Sequence, residues 1–169
     1  LVGSEMCIRD RATGIGFHLG PNDVAIRCNF CTLDEEGRII DRRAGRIPTE
    51  ESAPLAIRLR EVSLPGVEVF VEPVKEHRFV VVLRGEGLGG DVADTDPQAT
   101  GVPLLDPIAQ NDASQRTAGV AAEFARQGVA LLKDQSAANA FSMRGFSASP
   151  SLPSFEEVYG CLLYTSDAA

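Results

Sequence analysis

The sequence predicts an α/β or α+β fold in which a small mixed β-sheet is covered by helices. Residues 24–30 alternate apolar and polar side chains with the period of a strand. Residues 79–83 form a continuous apolar run typical of a central strand, and residues 113–133 repeat apolar side chains with the period of a helix. With 169 residues, 44% hydrophobic and 24% charged, the chain has the length and composition of one globular domain.

The predicted elements follow in a simple order. The glycine-rich segment 14–23 leads into the first strand. For this segment, a plain turn is favoured over a phosphate-binding loop. A hairpin turn at 33–38 joins the first two strands. Thr49 is the predicted cap of the first helix, and Asp112 caps the second. The elements are strands near 24–33, 38–42, 67–72, 79–84 and 138–144, and helices near 50–62 and 113–133.

A long loop is predicted over residues 85–112, where eight glycines and prolines exclude long regular elements. A loop of this length in a compact chain is more often functional than idle. Asp91, Asp94 and Asp96 lie within it. Clustered aspartates can bind a divalent metal or act as acid and base, and turn-forming or capping aspartates are the strong alternative.

Arginines are concentrated in one part of an acidic chain. The formal net charge is −8, yet Arg27, Arg42, Arg43 and Arg46 lie within twenty residues of one another. A guanidinium group presents a planar fork of donors that matches phosphate and carboxylate oxygens in pairs. The cluster therefore predicts a site for a small anion. It does not predict a nucleic-acid partner, which usually needs a broad basic face.

The first strand is expected to place two polar side chains beside this cluster. Arg27 and Asn29 share one face of the strand, and the hairpin brings residues 41–46 near them. We predict that Asp41 pairs with one of the arginines and holds it in place. The opposite face is apolar and is expected to pack on the core; it carries Val24, Ile26, Cys28 and Phe30.

Arginines also end two later strands. Arg84 and Arg144 are each followed by glycine, which is a common placement for a residue that contacts a ligand. For Arg84, an interdomain salt bridge is an equally good explanation from the spacing alone. Groups for catalysis are sparse. His77 lies between Glu76 and Arg78, where we expect a surface position.

The cysteines and histidines do not predict a metal site. Cys28 and Cys31 are three apart in a strand and so point to opposite faces, and His18 and His77 are not at ligand spacing. We predict two reduced core cysteines, which suit a reducing compartment. No apolar run approaches the roughly eighteen residues needed to cross a membrane, and no secretory signal is recognisable. The prediction is a cytoplasmic protein without a membrane partner.

Both ends of the chain resemble foreign sequence. Residues 1–11 and 161–169 fit nothing beside them and look like translated sequencing-adapter tails, with ordinary frayed termini as the alternative. We therefore expect residues 12–160 to be the native part.

Nine short segments across residues 12–160 match the motifs of one enzyme family in order and approximate spacing. They are Gly14-x-Gly16-x-x-Leu19-x-Pro21-x-Asp23-Val24-Ala25, Arg27-Cys28-Asn29-Phe30, Asp41-Arg42-Arg43-Ala44-Gly45-Arg46-Ile47, His77-Arg78, Val81-Val82-Leu83-Arg84-Gly85, Asp94-Thr95-Asp96-Pro97, Leu132-Lys133-Asp134, Ala138-Asn139-Ala140 and Arg144-Gly145. These segments resemble the archaeal-type, cofactor-independent phosphoglycerate mutases, metal-dependent members of the alkaline phosphatase superfamily.

The resemblance implies that this chain is the inserted, substrate-closing domain of such an enzyme, with partial connections to its core. The family interconverts 3-phosphoglycerate and 2-phosphoglycerate in glycolysis and gluconeogenesis. It uses two divalent ions (manganese or magnesium) and a phosphorylated serine, and no 2,3-bisphosphoglycerate. The serine and most metal ligands would lie outside this chain, which alone is expected to be inactive. By the same resemblance, the substrate is bound by Arg27, Asn29, Arg42, Arg46 and Arg84, and its hydroxyl proton is moved by Asp94 or Asp96.

Two departures from the family pattern leave alternatives open. Gln98 stands where the family usually has histidine, and the segment between Lys133 and Ala138 is shortened. Another phosphotransferase of the same superfamily, similar to homoserine kinase, remains an alternative. A stand-alone anion-binding module is a further one if both tails are native. The sequence does not indicate an oligomeric state.

Overall fold

The computed structural model describes residues 22–148 and confirms the predicted fold class. One sheet contains β1 (Asp23–Leu33), β2 (Ile39–Asp41), β3 (Glu68–Lys75), β4 (Arg78–Arg84) and β5 (Ala140–Ala148). The helices are α1 (Thr49–Arg58), extended by a 3-10 turn at Leu59–Glu61, and α2 (Gln115–Leu131). The predicted tails at 1–11 and 161–169, and the glycine-rich segment before residue 22, lie outside the described residues.

The sheet is built around β1, which is paired along both edges. β1 pairs with β4 on one side and with β5 on the other, β3 adds to β4, and β2 pairs with the last residues of β1. Each of these pairings is antiparallel, so the expectation of a mixed sheet was wrong. Short turns join β1 to β2 and β3 to β4, and such turns make neighbouring strands antiparallel. After α2, the chain enters β5 in the same direction as β4, which is again antiparallel to β1.

The continuous apolar run of β4 is buried on both faces, as expected of a central strand. Phe79, Val81 and Leu83 point into the main core, as a central strand requires. Val80 and Val82 belong to a second, smaller apolar cluster with Ala25, on the opposite face. β4 is therefore apolar on both sides although its neighbours β1 and β3 are antiparallel to it.

Both helices cover the same face of the sheet. Leu55, Ala56 and Leu59 come from the α1 region, and Ala121 and Phe124 come from α2; all join the main core. The same core contains the predicted apolar face of β1: Val24, Ile26, Cys28 and Phe30. Because side chains alternate along a strand, Arg27 and Asn29 emerge on the face that the helices leave uncovered.

Four phenylalanines tie the layers together. The ring centroids lie 4.5 Å apart for Phe30 and Phe79, 5.6 Å for Phe79 and Phe141, and 5.4 Å for Phe141 and Phe124. β1, β4, β5 and α2 each supply one ring to this chain of contacts. Burying a phenylalanine side chain stabilises the fold by about 1.5–3 kcal/mol, so these rings form a large share of the core.

Cys28 and Cys31 are free and buried, as predicted. Burial raises the pKa of both thiols. The pKa of Cys31 reaches about 12, with Asp96 and Asp41 adding to the effect of burial. Both cysteines are therefore neutral core side chains at physiological pH, and their thiols are poorly suited to metal binding or redox exchange.

The two predicted helix caps were wrong. Pro48 precedes α1 and provides no side-chain cap; the Thr49 hydroxyl instead accepts a hydrogen bond from the backbone N–H of Glu76 (3.1 Å). Before α2, the Asn111 side chain accepts from the N–H of Ser114 (2.9 Å), one residue earlier than the predicted Asp112. In each case a short 3-10 turn or a tertiary contact competes with the local capping pattern.

The long loop between β4 and α2 is anchored to β5 through Thr95. The N–H of Thr95 donates to the carbonyl oxygen of Met143 (2.9 Å), and the N–H of Met143 donates to the Thr95 hydroxyl (2.8 Å). This two-way contact is buried. It fixes Asp94 and Asp96, the residues on either side of Thr95, next to β5.

Two glycines of α2 make a matched test of the packing between helix and sheet. A Cβ at Gly128 would lie 2.6 Å from Cε1 of Phe141, whose ring is held by Phe79 and Phe124. A Cβ at Gly119 meets nothing within 4 Å. We expect Gly128→Ala to lower the free energy of unfolding by about 1 kcal/mol or more, since overpacking outweighs the gain in helix propensity.

The control, Gly119→Ala, should raise the free energy of unfolding by up to about 1 kcal/mol through helix propensity alone. Urea denaturation followed by circular dichroism measures both. Equal effects of the two substitutions would contradict this account of the helix–sheet contact.

Candidate anion-binding site

A cavity of about 470 Å³ opens on the side of the sheet that carries Arg27. We call it the arginine cavity; it is lined by Arg27, Asn29, Arg42, Arg43, Arg46, Glu76, His77, Arg78, Asp96 and Arg144. Six guanidinium groups face two carboxylates, which leaves a formal excess of four positive charges. This excess stands against a net charge of −8 for the whole chain. The cavity is therefore a local site for anions on an acidic protein.

Strand register brings together residues that are far apart in sequence. On β1, Arg27 lies directly opposite Arg144 of β5, and Asn29 lies directly opposite Arg78 of β4. Like charges placed opposite each other across strands are destabilising. The carboxylates of Asp94 (3.6 Å) and Asp96 (3.8 Å) lie near Arg144 and offset part of this repulsion.

The turn after β2 carries three of the arginines and is held by Asp41. The Asp41 carboxylate accepts hydrogen bonds from the backbone N–H groups of Arg43 (2.8 Å) and Gly45 (2.7 Å). The prediction that Asp41 pairs with an arginine side chain was therefore wrong. Asp41 positions the backbone of the turn instead, as an Asx-type contact does.

Strained backbone is concentrated around the cavity. Within residues 22–148, four non-glycine residues have positive φ: Ala44, Arg46, Glu76 and Gln98. Arg46 and Glu76 line the cavity, and Ala44 lies between Arg43 and Gly45. The N–H of Gln98 donates to the carboxylate of Asp96. Such conformations cost on the order of 1–3 kcal/mol each and cluster at functional sites.

Asp96 holds Arg42 in a bidentate ion pair. Arg42 donates from Nε to Oδ1 (3.1 Å) and from Nη2 to Oδ2 (2.8 Å), and Gln98 adds a backbone bond to Oδ1 (2.8 Å). Asp96 is 7% exposed. Burial alone would raise the pKa of Asp96, but the bonds from Arg42 and Gln98 and the charge of Arg144 outweigh it, so its pKa is lowered. Asp96 is thus an ionised carboxylate that orients Arg42 toward the cavity.

Arg84 and Asp94 are not brought into the cavity. Arg84 makes a bidentate ion pair with Asp23 (2.7 and 2.9 Å) and lies over the ring of Phe70. It is six residues along β4 from Arg78, or about 20 Å at the rise of a strand. Asp94 accepts from the N–H of Gly145 (2.8 Å), and its other oxygen lies 3.6 Å from Nε of Arg144.

Of the predicted site residues, the cavity thus contains Arg27, Asn29, Arg42, Arg46 and Asp96. The cavity also contains Arg43, which belongs to the predicted arginine cluster, and Arg144, which was predicted as a possible ligand contact, although the resemblance assigned substrate binding to neither. Arg78 was not predicted to bind an anion. The places of these three arginines depend on strand register and on the shape of the turn after β2. Register between strands separated by more than a hundred residues is not visible in the sequence.

His77 is the main lining residue that the sequence interpretation misplaced. It was expected on the surface, but it is 7% exposed and lines the cavity. Its carbonyl oxygen accepts from the N–H of Phe30 (2.7 Å), which ties it to β1. His77 has the same parity as Phe79, Val81 and Leu83, which indicates burial, but this pattern predicts a position facing the core and not the cavity.

The His77 ring is uncharged near neutral pH. Burial, and then the positive charge of Arg78, lower its pKa; Arg43 and Arg46 act in the same direction, and Glu76 opposes them. Its Nδ1 atom is buried and has no hydrogen-bond partner among the described residues. Leaving a buried polar atom without a partner costs about 1–3 kcal/mol.

The cavity does not suit a metal ion. Within residues 22–148, no group of three or more His, Cys, Asp or Glu side chains is arranged to hold one. The excess of guanidinium groups would repel a cation. Neither α1 nor α2 is long and apolar enough to cross a membrane.

Comparison with known proteins places the chain in a family. Residues 11–138 match the family model described as 2,3-bisphosphoglycerate-independent phosphoglycerate mutase. The chain belongs to this family. A protein of Thermus thermophilus, named "Probable 2,3-bisphosphoglycerate-independent phosphoglycerate mutase", is 47% identical over 150 residues, which cover 88% of this chain and 37% of that protein. A protein of Deinococcus radiodurans with the same name is 42% identical over 153 residues, with the same coverage.

A solved structure extends the comparison to the fold. The cofactor-independent phosphoglycerate mutase from Thermoplasma acidophilum superposes with a TM-score of 0.77 at 29% identity, over 86% of this chain and 42% of that one. In the sequence comparisons, the present chain spans about 37% of the length of the Thermus and Deinococcus relatives.

The ion pair between Asp96 and Arg42 can be tested by its contribution to stability. We expect Asp96→Asn to lower the free energy of unfolding by about 1.5–3 kcal/mol, because Arg42 loses a buried, charge-assisted partner. The control is Asp134→Asn, which breaks the exposed ion pair with Arg58 (2.9 Å) and should leave the unfolding midpoint nearly unchanged. Urea denaturation at pH 7 measures both. A smaller effect at Asp96 than at Asp134 would contradict this assignment.

The lowered pKa of His77 predicts a loss of stability in mild acid. In the unfolded chain, histidine takes up a proton near pH 6.5, whereas in the folded chain it does so only at lower pH. Between these two pKa values the unfolded state binds more protons, so stability falls as the pH drops below about 6.5. Thermal unfolding of the wild type and His77→Gln from pH 8 to pH 5.5 measures this.

The difference in stability between His77→Gln and the wild type should change in favour of the variant as the pH falls. A pH-independent difference would show that His77 keeps its ordinary pKa in the folded protein.

Proposed function

We propose that this chain is the substrate-binding part of a phosphoglycerate mutase that interconverts 3-phosphoglycerate and 2-phosphoglycerate. The observation that carries the proposal is the convergence of six arginines on one cavity of an acidic chain. Phosphoglycerate bears a phosphate and a carboxylate, and both are groups that guanidinium forks bind in pairs. Because the chain belongs to the phosphoglycerate mutase family, we propose phosphoglycerate as the anion that these arginines bind.

Arg42 and Arg46 reach the cavity in different ways, and both support binding. Arg42 is oriented in advance by Asp96, so little side-chain entropy is lost when an anion binds. Arg46 belongs to the strained turn that Asp41 holds. Arg27 and Asn29 project from β1, the most firmly paired strand of the sheet. We propose that these four residues hold the substrate while it reorients.

We retain Asp94 and Asp96 as candidates for moving the hydroxyl proton, and their surroundings differ. Asp96 lies at the cavity, but both of its oxygens are bound and it must release Arg42 before it accepts a proton. Asp94 has one oxygen held by the N–H of Gly145, and it meets the cavity only through Arg144. The geometry therefore favours a positioning role for Asp96. Asp94 can accept the proton only where the substrate hydroxyl reaches its second oxygen directly, because the guanidinium group of Arg144 does not release a proton.

We propose that the metal ions and the serine nucleophile expected of the family are supplied by parts of the parent protein beyond the described residues. The described side chains do not form a set of ligands that would hold a metal ion. The parent is proposed to act in the cytoplasm, a reducing compartment that suits two free, buried cysteines. On this proposal the chain binds phosphoglycerate and does not convert it.

Isothermal titration of the purified chain with 3-phosphoglycerate tests the proposal. We expect Arg42→Ala and Arg46→Ala each to weaken binding about tenfold or more, since each removes a charge-assisted contact of about 1.5–3 kcal/mol. Arg126→Ala is the control: Arg126 is exposed on α2 and pairs with Glu123. It should bind like the wild type.

Absence of binding at millimolar ligand, or equal affinities for all four proteins, would contradict the proposal. Phosphorus NMR of the same samples checks turnover. Formation of 2-phosphoglycerate by this chain, with or without manganese, would show that the catalytic groups lie within it.

A further inference from the structure

We infer that His77 contacts the bound anion as an uncharged hydrogen-bonding group, and that anion binding and protonation of His77 are coupled. This inference rests on the proposal that the arginine cavity binds an anion. It adds a titratable contact to a site whose other polar contacts are charges or amides. Neither the family match nor the motif resemblance assigns this role to His77.

The geometry of the turn before β4 carries the first step. His77 is 7% exposed and lines the cavity, and its buried Nδ1 atom has no hydrogen-bond partner within the described part of the chain. Two backbone contacts flank it: the Glu76 N–H donates to the Thr49 hydroxyl (3.1 Å), and the His77 carbonyl accepts from Phe30 (2.7 Å). These contacts fix the backbone on both sides of the ring, while Nδ1 is left without a partner.

The backbone at this turn supports the same conclusion. Glu76 has a φ of 55°, a left-handed conformation that a non-glycine residue adopts only at a cost. Glu76, with its unfavourable backbone conformation, and His77, with its unpartnered Nδ1 atom, both line the cavity. Both features are expected where a side chain is kept ready for a ligand rather than for the stability of the free protein.

The charges around His77 decide the sign of the coupling. The groups that face the cavity with it come from every neighbouring element: Arg27 and Asn29 on β1, Arg42, Arg43 and Arg46 after β2, Glu76 and Arg78 beside it, Asp96 in the long loop and Arg144 on β5. Arginines dominate this set, so the empty cavity disfavours a proton on the ring. A bound dianion neutralises part of that charge and therefore favours protonation.

Linkage then makes the effect reciprocal. If the anion favours the protonated ring, acidification must tighten anion binding by the same factor. Near pH 8 the neutral ring contributes an ordinary hydrogen bond, whereas near pH 5.5 the imidazolium adds a charge-assisted one. The site would thus bind more tightly at lower pH although its arginines do not titrate.

The experiment uses sulfate as the probe, because sulfate keeps its charge of −2 from pH 5.5 to pH 8 whereas phosphate titrates in that range. The chain contains two histidines, His18 and His77, so NMR resolves the titration of each ring, and His18→Gln assigns the signals. We expect sulfate to move the His77 midpoint to higher pH. We also expect at least about fivefold tighter sulfate binding at pH 5.5 than at pH 8.

Two substitutions separate direct contact from a field effect. His77→Gln keeps a hydrogen-bonding side chain without a charge, and His77→Leu removes both. At pH 8, His77→Leu should bind sulfate about fivefold more weakly than His77→Gln, the value of one ordinary hydrogen bond. In both variants the dependence of affinity on pH should be lost. If either variant fails to fold by circular dichroism, the titration of the wild-type ring decides.

Each outcome bears on the inference. Sulfate binding with an unmoved His77 midpoint, or with the pH dependence retained in His77→Gln, would overturn the inference and leave the proposed function standing. Equal affinities of the Gln and Leu variants at pH 8 would overturn the direct contact. No binding of sulfate or 3-phosphoglycerate by the wild type would overturn both proposals.

Discussion

Strand β1 connects the core and the arginine cavity, because its side chains alternate between them. Ile26, Cys28 and Phe30 are fully buried on one face, and Arg27 and Asn29 line the cavity on the other. A slip of one residue in register would bury the guanidinium group and expose the aromatic ring. The hydrophobic free energy of the core therefore holds the cavity residues in place. Pairing on both edges, with β4 and β5, leaves β1 little freedom to relax.

This coupling allows the protein to keep an arrangement of charges that is unfavourable by itself. Two unit charges a few ångströms apart repel by on the order of a few kcal/mol near a protein surface, and six guanidinium groups share one cavity. Three features offset this repulsion. Asp96 neutralises Arg42 directly and lies 3.8 Å from Arg144, Glu76 lies 3.9 Å from Arg78, and the chain as a whole is acidic. Asp41 and Thr49 hold the strained turns from which Arg46 and Glu76 project.

Much of this arrangement could be predicted from the sequence, and the failures share one cause. Local patterns predicted the faces of β1 and the arginine cluster after β2, because alternation and spacing are properties of adjacent residues. These local patterns could not predict that Arg78, and not Arg84, lines the cavity. Both arginines lie on the same face of β4, and only the tertiary fold determines which end of the strand meets the cavity. Arg144 depended in the same way on the register of β5 against β1.

The two titratable groups of the cavity that are buried show how one set of arginines produces opposite protonation states. Arginines near Asp96 lower the pKa of its carboxylate and keep it charged, although burial acts against this. Arg78, Arg43 and Arg46 lower the pKa of the His77 imidazole and keep it neutral, and here burial acts in the same direction. Near neutral pH the free cavity thus has one fixed negative charge that orients Arg42 and one neutral ring that adds no further positive charge. A dianion that enters the cavity favours protonation of His77, because the imidazole gains a hydrogen-bond partner. Asp96 stays ionised, because its carboxylate keeps the bonds from Arg42. The site can therefore respond to its ligand without losing the ion pair that shapes it.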